Sequence, residues 1–281
     1  MRNNQNRLGA KTPAAPPAGT QPAASIHPSL PYAVPTEFVE LPSRGKFYLD
    51  DHPLSGQETI EIKFMTAKEE DILASEALIR KGLVLDRLME NIVVDPEIDP
   101  KSLLIGDRNA IMIAARISAY GPEYEVNVYC TACDQVNEDY KLDLKKCKHK
   151  EGFLDRGLLN EHDIVFDEAN KNFTIRLPKS GLSVGLRLIT GSESLELDDI
   201  DENSAVTDLL TKLVKSVEGQ TDLSTVKSFV RYMPAQDSRF LRKIYLQLMP
   251  DVDLTQDFTC NHCGRQEDKE VPLDAGFFWP R

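Results

Sequence analysis

The chain has 281 residues, 41% of them hydrophobic and 28% charged, which is globular composition with length for one large domain or two small ones. Its net charge of −12 argues against direct nucleic-acid binding, where Lys and Arg must replace phosphate counterions, and against adhesion to an anionic membrane surface. No segment approaches the roughly 18–20 apolar residues that span a bilayer, and the most apolar short run, Ala110 to Ile117, already contains Arg116, so no membrane insertion is expected.

The opening "MRNNQNRLG" has no apolar h-region, so a secretory signal is not expected there, and synthesis in a reducing cytosol is. Residues 1–35 carry Pro13, Pro16, Pro17, Pro22, Pro28, Pro31 and Pro35 among Ala, Ser, Thr and Gln. Proline at that density blocks helices and sheets, and little apolar side chain is present to bury. A disordered or polyproline-like arm is expected, either a loose tail or a segment that orders on a neighbouring subunit.

Regular signals begin at Thr36. "EFVEL" and "TIEIKFM" alternate as strands do. Thr66 opens a helix with a capping box to Glu69, interrupted at Gly82 and continued by "LVLDRLMENI". A second helical stretch runs from Pro100 to Gly121, with Asp107 expected as the cap of its main helix. "EYEVNVYC" and "QVNEDYKLDL" then read as strands flanking a C-x-x-C. Beyond His162, "DIVFDEANKNFTIRL" predicts a hairpin turning at Glu168 to Asn172, and "GLSVGLRLIT" a strand. "AVTDLLTKLVKSVEG", "DLSTVKSFVRYM" and "AQDSRFLRKIYLQLM" are helical by spacing.

The two halves match each other. "LPSRG" at Leu41 corresponds to "LPKSG" at Leu177, and "IEIKFMTAKEE" to "VGLRLITGSES", aligning Thr66 with Thr190 and Glu69 with Glu193. Asp107 stands 23 residues before Cys130 (130 − 107), and Asp237 stands 23 before Cys260 (260 − 237). An internal duplication is the expectation, giving an α+β chain of two similar lobes. The expected domains are the arm over 1–35, a first lobe over 36–150 and a second over 151–281. Each lobe has short strands, helices and a cysteine knuckle.

The repeat supplies Cys260 and Cys263 as a second pair beside Cys130 and Cys133. Four thiolates on two hairpin tips are the donor set of a closed tetrahedral Zn²⁺ site, which confers stability and leaves no position open for catalysis. The 126 residues between the pairs (260 − 133 − 1) exceed a local zinc ribbon, so one structural zinc per chain would clasp the two lobes. Reduced buried thiols, a redox pair and a disulfide are the competing readings. The fifth cysteine, Cys147, reads as a free thiol in a solvated basic loop beside His149, and His262 as an outward-pointing knuckle residue. No P-loop, G-x-G-x-x-G after a strand, G-x-S-x-G or H-E-x-x-H occurs, so no catalytic residue is nominated. "DDIDEN" (198–203) lacks Ca²⁺-loop spacing and reads as a solvated acidic loop. Phe277, Phe278 and Trp279 near the end of the chain are expected either to fold back on the second lobe or to anchor a partner.

Taken together, "FVELPSRGKFY", "IKFMTAKEEDIL", "GDRNAIMIAARISAYG" with its C-x-x-C, "LRLITGSE" and the closing C-x-x-CG with "VPLDAGFFWP" resemble the baseplate hub proteins of T-even-type contractile-tailed bacteriophages. The resemblance covers Thr36 to Arg281 and brings no catalytic signature. It implies a non-enzymatic hub subunit or assembly factor, made in the bacterial host cytoplasm and placed in the virion tail baseplate. Its partners would be other tail and baseplate proteins. A wedge subunit and a zinc-dependent adaptor that binds a host or phage protein are the alternatives.

Overall fold

The hairpin signals of the sequence become antiparallel strand pairs throughout the computed structural model, which describes residues 34–198, 205–273 and 275–278. Residues 1–33 of the proline-rich segment, most of the acidic "DDIDEN" stretch and Trp279 lie outside the described residues.

Strand β1 (Thr36–Glu40) pairs with β2 (Thr59–Lys63), and alternation buries Val39, Ile60 and Ile62 while Phe38 faces out. The LPSRG turn after β1 takes Arg44 and Gly45 through positive φ of 51° and 66°. A Cβ on Gly45 would meet backbone atoms of Leu54 and Gln57 at 2.5–2.6 Å, so both conformation and space require glycine there.

The helical run from Thr66 is expected as one helix interrupted at Gly82, but it breaks twice. Helices α1 (Ala67–Leu73), α2 (Glu76–Arg80) and α3 (Val84–Ile92) result. The unforeseen break falls at Ser75, whose extended backbone precedes α2 and lets α1 pack on α3. The expected capping box is present: Thr66 Oγ1 accepts from Lys68 N–H, and the Glu69 carboxylate accepts from Thr66 N–H at 2.9 Å.

Helix α4 (Ile105–Tyr120) corrects the expected cap. Leu104 is the N-cap, and Asp107 sits in the first turn with its carboxylate turned away from its own helix. Buried completely, Asp107 accepts from Ser43 N–H (3.0 Å), Ser43 Oγ (2.6 Å) and Tyr48 Oη (2.7 Å), which fixes the LPSRG turn. Strands β3 (Glu123–Tyr129) and β4 (Val136–Asp143) follow as a hairpin. The basic "KKCKHK" segment, expected as a solvated loop, contributes β5 (Lys148–Lys150), which pairs with Asp251–Asp253 from far along the chain. Lys148 and Lys150 stand opposite Asp253 and Asp251 in register, a cross-strand charge match that distance in sequence conceals.

After α5 (Arg156–Glu161), strands β6 (Val165–Asp167), β7 (Asn172–Arg176), β8 (Ser183–Leu186) and β9 (Val214–Val217) form one four-stranded sheet. Strand β9 overturns part of a helical expectation: α7 spans only Ala205–Leu213, and the β-branched Val214 and Val217 turn inward to pair with β8. Helix α6 (Gly191–Asp198) lies between β8 and α7 in sequence. Helices α8 (Leu223–Tyr232) and α9 (Ala235–Leu248), strand β10 (Asp251–Asp253), and the hairpin of β11 (Thr255–Thr259) with β12 (Gln266–Glu270) complete the order. Buried Asp237 at the start of α9 accepts from Lys179 N–H (2.8 Å) and Ser180 N–H (3.0 Å) of the LPKSG turn. It therefore treats its turn as Asp107 treats LPSRG.

Val34 onward forms one compact unit. Its main core draws on both halves, from Leu41 and Ile62 to Leu241 and Leu248. Phe277 and Phe278 are each 1% exposed within it. Phe277 packs edge-on against Tyr124, centroids 5.1 Å apart, and the buried Arg116 guanidinium lies over both rings. These two aromatics are thus placed on the chain's own core. A separate small core contains Val128, Cys130, Phe258 and Cys260.

Candidate metal centre

Each C-x-x-C turns a hairpin. Cys130 N–H donates to Gln135 C=O (2.9 Å), and Asp134 N–H returns to Cys130 C=O (3.1 Å). The other tip repeats this: Cys260 N–H donates to Arg265 C=O (2.9 Å), and Gly264 N–H to Cys260 C=O (2.9 Å). The residue after the second cysteine is left-handed in both, Asp134 at φ 56° and Gly264 at φ 72°. Asp tolerates that region better than most residues, and Gly adopts it freely. This turn sends both sulfurs of a pair the same way.

The two tips meet. Cys130 Sγ lies 3.8 Å from Cys263 Sγ, Cys133 Sγ lies 3.7 Å from Cys260 Sγ, and all four sulfurs are within 4.8 Å of one another. A tetrahedron of thiolates with metal–sulfur bonds of about 2.3 Å has edges of about 3.8 Å, so the donor set and spacing fit a four-coordinate ion. All five cysteines are free, with no disulfide among them. Both pairs stand at hairpin tips and not at a helix N-terminus, unlike a thioredoxin-type redox pair.

Packing and charge explain why a cation suits this place. Cys130 and Cys260 are buried, Cys133 is half-buried and Cys263 is exposed. Burial acts to raise the Cys260 thiol, but the backbone N–H groups of Cys263 and His262 and the Asn137 amide bring it down to about 6. The Gln135 backbone acts to lower Cys133, but burial and the other three thiols push it up to about 12. Four sulfurs this close cannot all ionise unaided, because like charges oppose one another; a divalent cation removes that obstacle.

Asn137, absent from the sequence-based candidates, is the polar centre of the site. It is 1% exposed. Its Nδ2 donates to Val128 C=O (3.3 Å) and to Cys260 Sγ (3.5 Å), and its Oδ1 accepts from Asn261 N–H (2.7 Å). Position 137 looks solvent-facing in the sequence because a bulge in β4, at Asp139 with φ 51° opposite the step from Val126 to Val128, breaks the alternation of that strand. Tyr140 and Phe258 pack edge-on beneath the sulfurs, centroids 4.9 Å apart.

The other candidates stand apart from the sulfurs. His262 is exposed and its Nε2 lies 3.2 Å from Val136 C=O. Cys147 is half-buried against the core, accepts from Gln256 Nε2 at 3.6 Å, and is not one of the four clustered sulfurs. His149 is an exposed residue of β5.

The family model described as T4 bacteriophage base plate protein matches residues 35–279. No curated protein and no solved structure matches.

Proposed function

The chain belongs to the T4 bacteriophage base plate protein family, and from that premise we propose that it is a non-enzymatic structural or assembly component of the baseplate hub, held in shape by one zinc ion on Cys130, Cys133, Cys260 and Cys263. Membership supports a location in the virion tail baseplate, with other phage tail proteins as partners. No described helix is long and apolar enough to cross a membrane. The convergence of four sulfurs from two hairpins within 4.8 Å carries the metal reading. Zinc there would neutralise the thiolates and tie the hairpins together, with no open position for chemistry.

An internal duplication into lobes over 36–150 and 151–281 belongs to this reading. Its support is the matched pairs: the capping boxes of Thr66 with Glu69 and Thr190 with Glu193, the turn-holding Asp107 and Asp237, and the two knuckles.

Two experiments test the proposal. Metal content per chain, measured on protein purified without chelator, is expected to be one zinc in wild type and none in Cys130→Ser or Cys260→Ser; metal-free wild type would overturn the clasp. Labelled protein in isolated tails, imaged by cryo-electron microscopy, is expected at the centre beneath the tube. Label on the surrounding wedges would instead make it a wedge subunit, and absence from tails with capture in a host protein complex would favour an adaptor.

A further inference from the structure

The knuckles hold each other by side chains as well as sulfurs, and they do so reciprocally. Asn137 lies four residues past Cys133 (137 − 133) and accepts the N–H of Asn261, the residue after Cys260 (261 − 260), at 2.7 Å. Glu267 lies four residues past Cys263 (267 − 263) and accepts from the hydroxyl of Thr131, the residue after Cys130 (131 − 130), at 2.9 Å. The same position of each hairpin thus reaches the same position of the other. The halves of this exchange are not equal. Glu267 is partly exposed and shared with Lys269 Nζ at 2.9 Å. Asn137 is buried, and all of its polar atoms are engaged across the site, one of them on a ligand sulfur.

We infer that Asn137 is a positioning residue for the metal, holding Cys260 and the second knuckle in register with the first, with Thr131 and Glu267 as a weaker counterpart. The inference rests on the zinc reading above. An amide suits this role for a chemical reason: Nδ2 can donate two hydrogen bonds, here to Val128 C=O and Cys260 Sγ, while Oδ1 accepts from the opposite backbone. A donor to a ligand sulfur stabilises the thiolate, and such outer partners set both ligand orientation and affinity. Asp has nearly the same shape but offers no donor when ionised, and it would place a negative charge beside four thiolates.

The test is zinc affinity by chelator competition, with stoichiometry measured in parallel, on full-length wild type, Asn137→Ala, Asn137→Asp and Thr131→Val. The expected result is one zinc per chain in all four. Affinity should fall about 10–100-fold for Asn137→Ala, as for other outer-shell partners, further for Asn137→Asp, and only slightly for Thr131→Val. Should Asn137→Ala fail to fold, the near-isosteric Asn137→Asp, which keeps the acceptor for Asn261 N–H, carries the comparison. Wild-type affinity in the Asn137 variants, with zinc bound normally, would overturn the inference and leave the clasp standing. A wild type without zinc would overturn the clasp itself. A purely structural role would lower thermal stability with and without metal alike while leaving affinity unchanged.

Discussion

Two buried aspartates show how single residues set the path of this chain. Asp237, fully buried, satisfies two backbone N–H groups of the LPKSG turn at 2.8 and 3.0 Å. Hydrogen bonds to a charged group contribute about 1.5–3 kcal/mol each, and orphaned donors cost a similar amount. Asp237→Ala should therefore lower stability by about 3 kcal/mol in urea unfolding; a loss below about 1 kcal/mol would show that the turn can solvate itself. A surface aspartate gives a pH prediction. Asp222 caps α8, and its bonds from Thr225 and Ser224 hold its carboxyl at about 2 against the ordinary 3.8. Folding thus favours its ionised form, so its contribution is full above about pH 4 and is lost as pH falls through about 2. The stability difference between wild type and Asp222→Ala should shrink over that window; a difference constant from pH 5 to 2 would contradict the cap. The sequence revealed residues whose partners are local. Thr66 and Glu69 are three apart and were readable as a box, whereas Asp107 looks the same as a cap whether its carboxylate meets its own helix or Ser43, 64 residues away.

Hairpins and amphipathic helices were legible at the scale of elements because their signals are periodic and lie within one segment. The strands around the first C-x-x-C, and α8 and α9, fall where alternation and helical spacing put them, while the second knuckle was legible only through the repeat. Strand β5 was not legible, because Lys-His-Lys has no strand pattern until Asp251–Asp253 lies alongside. The end of α7 was missed for the converse reason: Val214 and Val217 continue a helical spacing, and only pairing with β8 decides against it. Packing of elements also explains two glycines whose φ is ordinary. A Cβ on Gly106, in the first turn of α4, would lie 2.0 Å from Pro250 C=O, and one on Gly152 would lie 1.6 Å from Gln247 C=O. Gly106 presses α4 against the start of β10, and Gly152 presses the segment before α5 against the end of α9. Backbone cannot yield as a side-chain tip can, so Gly106→Ala and Gly152→Ala should each cost about 3 kcal/mol, the upper end for overpacking. Thermal melts within a degree or two of wild type would mean that α4 is not seated on β10, for Gly106, or that the segment before α5 is not seated on α9, for Gly152.

Across the whole molecule, the halves are joined in more ways than the sequence suggested, and this determines what the metal can control. Cysteine spacing presents the clasp as the link between two lobes. The structure adds the β5–β10 pairing, the bond from Asn109 Nδ2 to Asp251 Oδ1 at 2.9 Å, and the Gln256 side chain bonded twice to the Asp143 backbone at 3.0 and 3.1 Å. It also adds a main core shared by both halves, to which the four clustered cysteines do not belong as buried members. The small core under the sulfurs has only Val128, Phe258 and two of the cysteines buried in it, too little apolar surface to hold two hairpins by itself. Metal should therefore govern the hairpins and not the global fold. In hydrogen exchange after chelation, the amides of β3, β4, β11 and β12 near the tips should lose protection, while those of α4, α9 and the β6–β9 sheet keep it. Uniform loss of protection would instead make the four sulfurs the link on which the whole chain depends. Unchanged exchange would show that Asn137, Glu267 and the aromatic pair of Tyr140 and Phe258 suffice to close the tips. If the tips do loosen selectively, the metal-bound state is the one with a fixed knuckle surface, on which Tyr129 and Val136 are exposed.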